Sequence, residues 1–189
     1  MDSVYSGNSV CHYIAFPAPA GQDRRFSPYV VCTTANPLRH VPGRGKLRKR
    51  HKATEMRTIR EIIVHCTATE EGRNFTVADI DNWHRQRGFI CIGYHYVVYL
   101  DGTIAYGRKP TDVGAHCVGH NADSIGVCYV GGLRNGQPAD TRTAQQKAAL
   151  LRLLSNLKTM YPNAKIYGHK DFSSKACPCF DARAEYSKL

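Results

Sequence analysis

Apolar and polar positions follow a legible order only in the later part of this chain. Residues 59–66 gather Ile62, Ile63 and Val64 into a run of strand length that ends at His65. A helix follows. Thr76 with Asp79 three residues on forms a capping-box pattern, Ile80, Trp83 and His84 recur at helical spacing, and Gly88 supplies the stop. Residues 94–100 and 103–106 flank Asp101-Gly102, a dipeptide suited to the tight turn of a hairpin. Residues 124–130 predict another strand, closed by Gly131-Gly132. Over residues 143–161, Ala148, Leu151, Leu154 and Leu157 share a helical stripe that stops at Pro162, and residues 164–168 predict a last short strand. The order strand, helix, hairpin, strand, helix, strand predicts an α/β fold, or α+β by a stricter count. It is one domain over residues 56–189, with a mixed central sheet flanked by helices.

Residues 1–55 carry no such period. They hold five of the nine prolines and nine Lys and Arg against three Asp and Glu, more than half of the net +11 of the chain. They close in the run Lys46-Leu47-Arg48-Lys49-Arg50-His51-Lys52. This composition predicts a basic, Pro-containing tail, either disordered or an upstream extension of the reading frame with Met56 as the start. An arm that binds nucleic acid or wall polymer is the competing account, and nucleic acid is not the expected partner.

Composition bounds the rest. At 189 residues, 42% apolar and 22% charged, the chain can bury one good core. The net charge favours a polyanion, whether nucleic acid, acidic lipid or the carboxylate-rich bacterial wall, without choosing among them. No run approaches the ~20 apolar residues that cross a bilayer. The start Met1-Asp2-Ser3 lacks the basic and apolar regions of a secretory signal, so the eight cysteines are expected to be reduced at synthesis in the cytoplasm. Action on a cell wall would then require lysis or a dedicated export route.

A zinc hydrolase needs three protein ligands and one open position, and strand ends aim ligands well. His65 ends the first predicted strand, His169 follows the last, and Cys177 lies eight residues beyond in Asp171-Phe172-Ser173-Ser174-Lys175-Ala176-Cys177-Pro178. With nine histidines and eight cysteines, spacing alone admits accidental triplets.

The local words are more specific. Ile63-Val64-His65-Cys66-Thr67-Ala68-Thr69, Trp83-His84, Gly93-Tyr94-His95-Tyr96, Asp101-Gly102-Thr103, Gly114-Ala115-His116, Asn121, Ser124-Ile125-Gly126-Val127 and Lys175-Ala176-Cys177-Pro178 occur in this order. Together they resemble the type 2 N-acetylmuramoyl-L-alanine amidases, most closely the branch that contains phage T7 lysozyme, and also the related peptidoglycan recognition proteins. The resemblance spans residues 56–180. It implies one catalytic Zn2+ on His65, His169 and Cys177, with Tyr94 and Lys175 as catalytic groups. It also implies cleavage of the lactyl–L-alanine amide of bacterial peptidoglycan, and the protein is expected to be a monomer. A cytoplasmic amidase that recycles muropeptides shares this chemistry, and a non-catalytic peptidoglycan-binding protein shares the fold.

Other residues divide by the same reasoning. His95, His116, Asn121 and Ser124 are candidates for substrate contact, the two histidines equally for support behind the ligands and Asn121 equally for capping a turn. His12, His40, His51 and His84 read as ordinary surface or core residues. Cys66, Cys91, Cys117, Cys128 and Cys179 read as small buried apolar groups, with Cys179 close enough in sequence to Cys177 to compete for the metal or oxidise with it.

Overall fold

A computed structural model describes residues 57–189. The tail reading for residues 1–55 and the histidines His12, His40 and His51 lie outside the described residues.

The first strand, β1 (Glu61–Cys66), is the centre of the fold. It pairs in parallel with β5 (Ser124–Tyr129) on one side and β8 (Lys165–Gly168) on the other. β5 also pairs in parallel with β3 (Tyr96–Val98), whose antiparallel neighbour is β4 (Ile104–Tyr106). The mixed sheet thus has the order β4-β3-β5-β1-β8. Ile62, Ile63 and Val64 are all fully buried, as a strand covered on both faces requires.

Strand alternation gives the two faces different work. Ile62, Val64 and Cys66 of β1 join Ile125, Val127 and Tyr129 of β5 and Tyr96 and Val98 of β3 in the main core. There they pack under α2 (Ala144–Met160) and the short α3 (Ala182–Glu185). The opposite face carries His65, Gly126, Cys128 and Val97. Only part of it is covered by an apolar cluster, in which Val77 and Ile80 of α1 (Val77–Gln86) meet Ile92, Val97, Ala105 and Val130. The uncovered remainder of that face is where chemistry can sit.

Both long helices begin in full capping boxes, Thr76 with Asp79 and Thr143 with Gln146. The face of α2 differs from the expected stripe. Ala148 and Leu151 are exposed, and the buried positions are Gln146, Ala149, Leu150, Leu153, Leu154 and Leu157. The doublets Leu150-Leu151 and Leu153-Leu154 fit either register, and Gln146 selects one: its amide donates to the carbonyls of Val98 (3.2 Å) and Val130 (2.8 Å). A second, three-stranded sheet of β2 (Thr69–Glu70), β6 (Gly132–Arg134) and β7 (Gln137–Pro138) was not anticipated. Its sequence signal is Asn135-Gly136, both at positive φ (51° and 74°) in the β6–β7 turn. Among the described residues no helix is long and apolar enough to cross a membrane.

Candidate metal centre

Val64 lies opposite Gly168 in the β1–β8 register, so His65 and His169 leave the carboxyl ends of adjacent parallel strands side by side. Open α/β sheets hold ligands at such edges. The two rings stand 4.6 Å apart between centroids. His169 opens a 3-10 turn, His169–Asp171, in which Gly168 N donates to Asp171 Oδ2 (2.8 Å) and Phe172 N to His169 O (3.0 Å).

The loop then returns Cys177 to the end of β1. Cys66 N donates to Cys177 Sγ at 3.2 Å, Lys170 N to Cys177 O at 2.6 Å, and the Tyr129 hydroxyl to Pro178 O at 2.7 Å. Gly168 is needed for this return, because a Cβ there would stand 2.7 Å from Pro178 Cδ.

One ligand atom from each of His65, His169 and Cys177 lies within 4.8 Å of the others, a group that can hold a metal ion. The donor chemistry fits. Zinc bonds of about 2.3 Å to sulfur and about 2.0 Å to nitrogen in a tetrahedron set those atoms about 3.6 Å apart, and Cys177 Sγ is 3.8 Å from His65 Nδ1. Burial, then His116, His169 and Lys175, hold His65 well below its ordinary pKa, and burial and Lys175 lower His169. Both rings are therefore neutral, the form that ligates. The hydrogen bond to Cys177, with burial, drives the Cys66 thiol far upward, so it stays protonated beside that sulfur.

Tyr94 stands over His65 with ring centroids 5.2 Å apart. Burial, and beside it Cys128, push its phenol well above the ordinary value, leaving a hydroxyl that can donate. Lys175 is exposed on the Cys177 loop and close enough for its charge to act on both His65 and His169. Cys179 takes a different place from the one expected of a competing ligand. At φ +69° its Sγ turns to Cys66 Sγ (3.8 Å) and Gly132 O (3.2 Å), away from the ligand group.

Behind the ligands His65 Nε2 meets His116 Nδ1 at 3.1 Å. The His116 ring fits only because Gly114 and Gly126 flank it, since a Cβ at either would stand 2.5 Å from its Cδ2. Asn121 Oδ1 accepts from His116 N (2.8 Å) and Cys117 N (3.0 Å), shaping the loop that carries His116. His95 is placed otherwise than expected for a substrate contact. It is fully buried, Nδ1 accepts from Gly126 N (2.9 Å), and Nε2 faces Asp112 O (3.1 Å). His84 is likewise internal, its Nδ1 accepting from Gly93 N at 2.8 Å just before Tyr94.

Two arginines that gave no sequence signal hold these loops. Arg57 donates to Pro110 O twice (2.9 and 3.2 Å) and to the carbonyls of Asn121 (3.0 Å), Ala122 (2.9 Å) and Ser124 (3.2 Å). Arg108 binds the carbonyls of Ile92 (2.6 Å), Val113 (2.7 Å) and Cys91 (3.4 Å). Such forks satisfy several loop carbonyls with one cation, a use that leaves no periodicity to read.

Comparison with known proteins places this centre in context. The pattern of the N-acetylmuramoyl-L-alanine amidase family matches residues 55–180. The endolysin of Enterobacteria phage K11 is 40% identical over 129 residues, 68% of this chain and 85% of that protein. The endolysin of Escherichia phage T7 is 39% identical over 128 residues, 67% and 85% of the two chains. A peptidoglycan-recognition protein of Drosophila melanogaster is 29% identical over 125 residues, covering 64% of this chain and 68% of that protein. Among solved structures, the N-acetylmuramoyl-L-alanine amidase LysC from Clostridium intestinale URNW superposes with a TM-score of 0.60 at 32% identity, covering 72% of this chain and 86% of that one. The matched span runs through every strand of the sheet and includes all three members of the metal-capable group. On that evidence the chain belongs to the N-acetylmuramoyl-L-alanine amidase family.

Proposed function

We propose that this protein is a zinc-dependent amidase that hydrolyses the amide between the lactyl group of N-acetylmuramic acid and the L-alanine of the peptidoglycan stem peptide. The observation that carries the reading is the convergence of His65, His169 and Cys177 at the carboxyl edge of the sheet in a chain of this family. His65 and His169 would bind zinc as neutral imidazoles and Cys177 as thiolate. When bound, zinc supplies Lewis acidity toward the scissile carbonyl and lowers the pKa of water at its open position.

The chain's own residues do the rest. The protonated Tyr94 hydroxyl donates a hydrogen bond to the carbonyl oxygen as negative charge develops on it. Lys175, exposed at the rim, adds a positive charge and a proton donor within reach of the departing amine. Asn121, whose side-chain oxygen shapes the loop that carries His116, is the remaining candidate for a contact with substrate.

The test is purified protein with intact sacculi, zinc present, scored by newly exposed N-terminal alanine. Release is expected from intact wall, as the endolysin relatives' names suggest, and Cys177→Ser should abolish it. Absence of release by the wild type would overturn the proposal. Release from soluble muropeptides alone would replace wall lysis by muropeptide recycling.

A further inference from the structure

A histidine ligand must present one nitrogen bare and keep the proton on the other, and the structure holds a chain of hydrogen bonds that decides which. Ser124 is fully buried, and its one hydroxyl proton goes to His120 O at 2.5 Å. Toward its other neighbour Ser124 Oγ can therefore only accept. That neighbour is His116 Nε2 at 3.4 Å, so the His116 proton sits on Nε2 and Nδ1 is left as an acceptor. His116 Nδ1 lies 3.1 Å from His65 Nε2, which must then be the protonated nitrogen of His65. The bare nitrogen is Nδ1, and it is the one that faces Cys177 Sγ at 3.8 Å.

We propose that His116 is a positioning residue that fixes the tautomer and orientation of His65, with Ser124 and the His120 carbonyl fixing His116 in turn. Partners of this kind recur at metal centres because they both aim a ligand and raise its basicity. Here the arrangement is built in depth. Gly114 and Gly126 clear the space for the His116 ring, and a side chain at either would occupy it. His95 stands edge-on to it with centroids 5.7 Å apart, itself locked by Gly126 N. Asn121 grips the His116 backbone N–H at 2.8 Å. The ring is thus held by its neighbours on several sides, and His65 Nε2 is covered by it. A metal on His65 Nε2 would have to displace His116.

This proposal rests on the reading of His65, His169 and Cys177 as a zinc centre, and the experiment separates the two. Zinc affinity of the full chain is measured by chelator competition for wild type, His116→Ala, His116→Asn and Ser124→Ala. Long-range proton–nitrogen NMR on the 15N-labelled zinc-loaded wild type reads which His65 nitrogen carries the metal. Metal on Nδ1 with a retained Nε2–H is expected. His116→Ala should weaken zinc by about 10- to 100-fold. His116→Asn, whose side-chain oxygen can stand where Nδ1 stood and accept the same hydrogen bond, should recover most of the loss, a recovery that simple filling of space would not give. Ser124→Ala should weaken zinc less than His116→Ala. Metal on Nε2, or unaltered affinity in His116→Ala, overturns the positioning role while leaving the zinc centre standing. A wild type that binds no zinc overturns the centre itself.

Discussion

Replacing Gly126 by alanine tests whether the sheet and the His116 ring are as tightly fitted as they look. The added Cβ would stand 2.5 Å from His116 Cδ2, 2.7 Å from Cγ and 2.8 Å from Nε2. Normal carbon contacts begin near about 3.5 Å, so something must move by about 1 Å. The backbone of β5 is a poor candidate, since it pairs with β1 on one side and β3 on the other. The ring must move instead, within a space that is already tight, since a Cβ on Gly114 would also stand 2.5 Å from its Cδ2. Overpacking of this kind costs about 2 kcal/mol, which for a domain of this size lowers Tm by about 6–10 °C. The displaced ring also gives up its 3.1 Å contact with His65 Nε2, so zinc affinity should fall by at least about tenfold. Calorimetry of the zinc-free protein and chelator competition measure the two effects separately. In Gly126→Ala/His116→Ala the steric cost should be relieved and the Tm partly regained, while the affinity stays low. A Gly126→Ala protein with wild-type Tm and wild-type zinc affinity would refute the account.

Other outcomes follow from the same geometry. The Arg142 side chain is 1% exposed, whereas its partners Asp140 and Glu185 are 30% and 41% exposed. Arg142→Met should therefore cost about 2 kcal/mol, and Asp140→Asn/Glu185→Gln, which strands a buried cation, more, about 3–5 kcal/mol, as read by urea unfolding. Hydrogen bonds from Arg142 hold both carboxyls below their ordinary values. Their contribution is present above about pH 4 and lost as pH falls through the lower folded values, so the urea midpoint of Arg142→Met should depend less on pH in that acid range. His65→Ala should lose both zinc and amidase activity, while Lys175→Ala and Tyr94→Phe should keep zinc and lose about 10²- to 10³-fold in kcat; zinc content with single-turnover assays separates these. Cys179→Ser should leave zinc content equal to wild type, since that sulfur faces Cys66, and a drop on metal analysis would place Cys179 among the ligands.

The elements read most directly from the chain are those whose signal is local. The capping box at Thr76 and the apolar run before His65 each depend on a few adjacent residues, and each appears where expected. The stripe on α2 is misplaced by periodicity because leucine doublets satisfy two registers, and the choice is made by a distant contact, Gln146 with β3 and the end of β5. The three candidate ligands are 104 and 8 residues apart along the chain, and the register of β1 on β8 is what brings them together. The residues that support the ligands are the least legible part. Gly114 and Gly126 matter for what they leave empty, and Arg57 matters for carbonyls that any sequence would offer.

Arg57 also ties the beginning of the described fold to distant parts of it. Its guanidinium is shared among three segments that do not otherwise belong to one element: the loop at Pro110, the turn at Asn121 and Ala122, and the first residue of β5. Cleavage one bond after Arg57 would remove five hydrogen bonds to these carbonyls at once. A protein trimmed past Arg57 is therefore expected to lose stability at the loops that flank His116 while it keeps His65, His169 and Cys177.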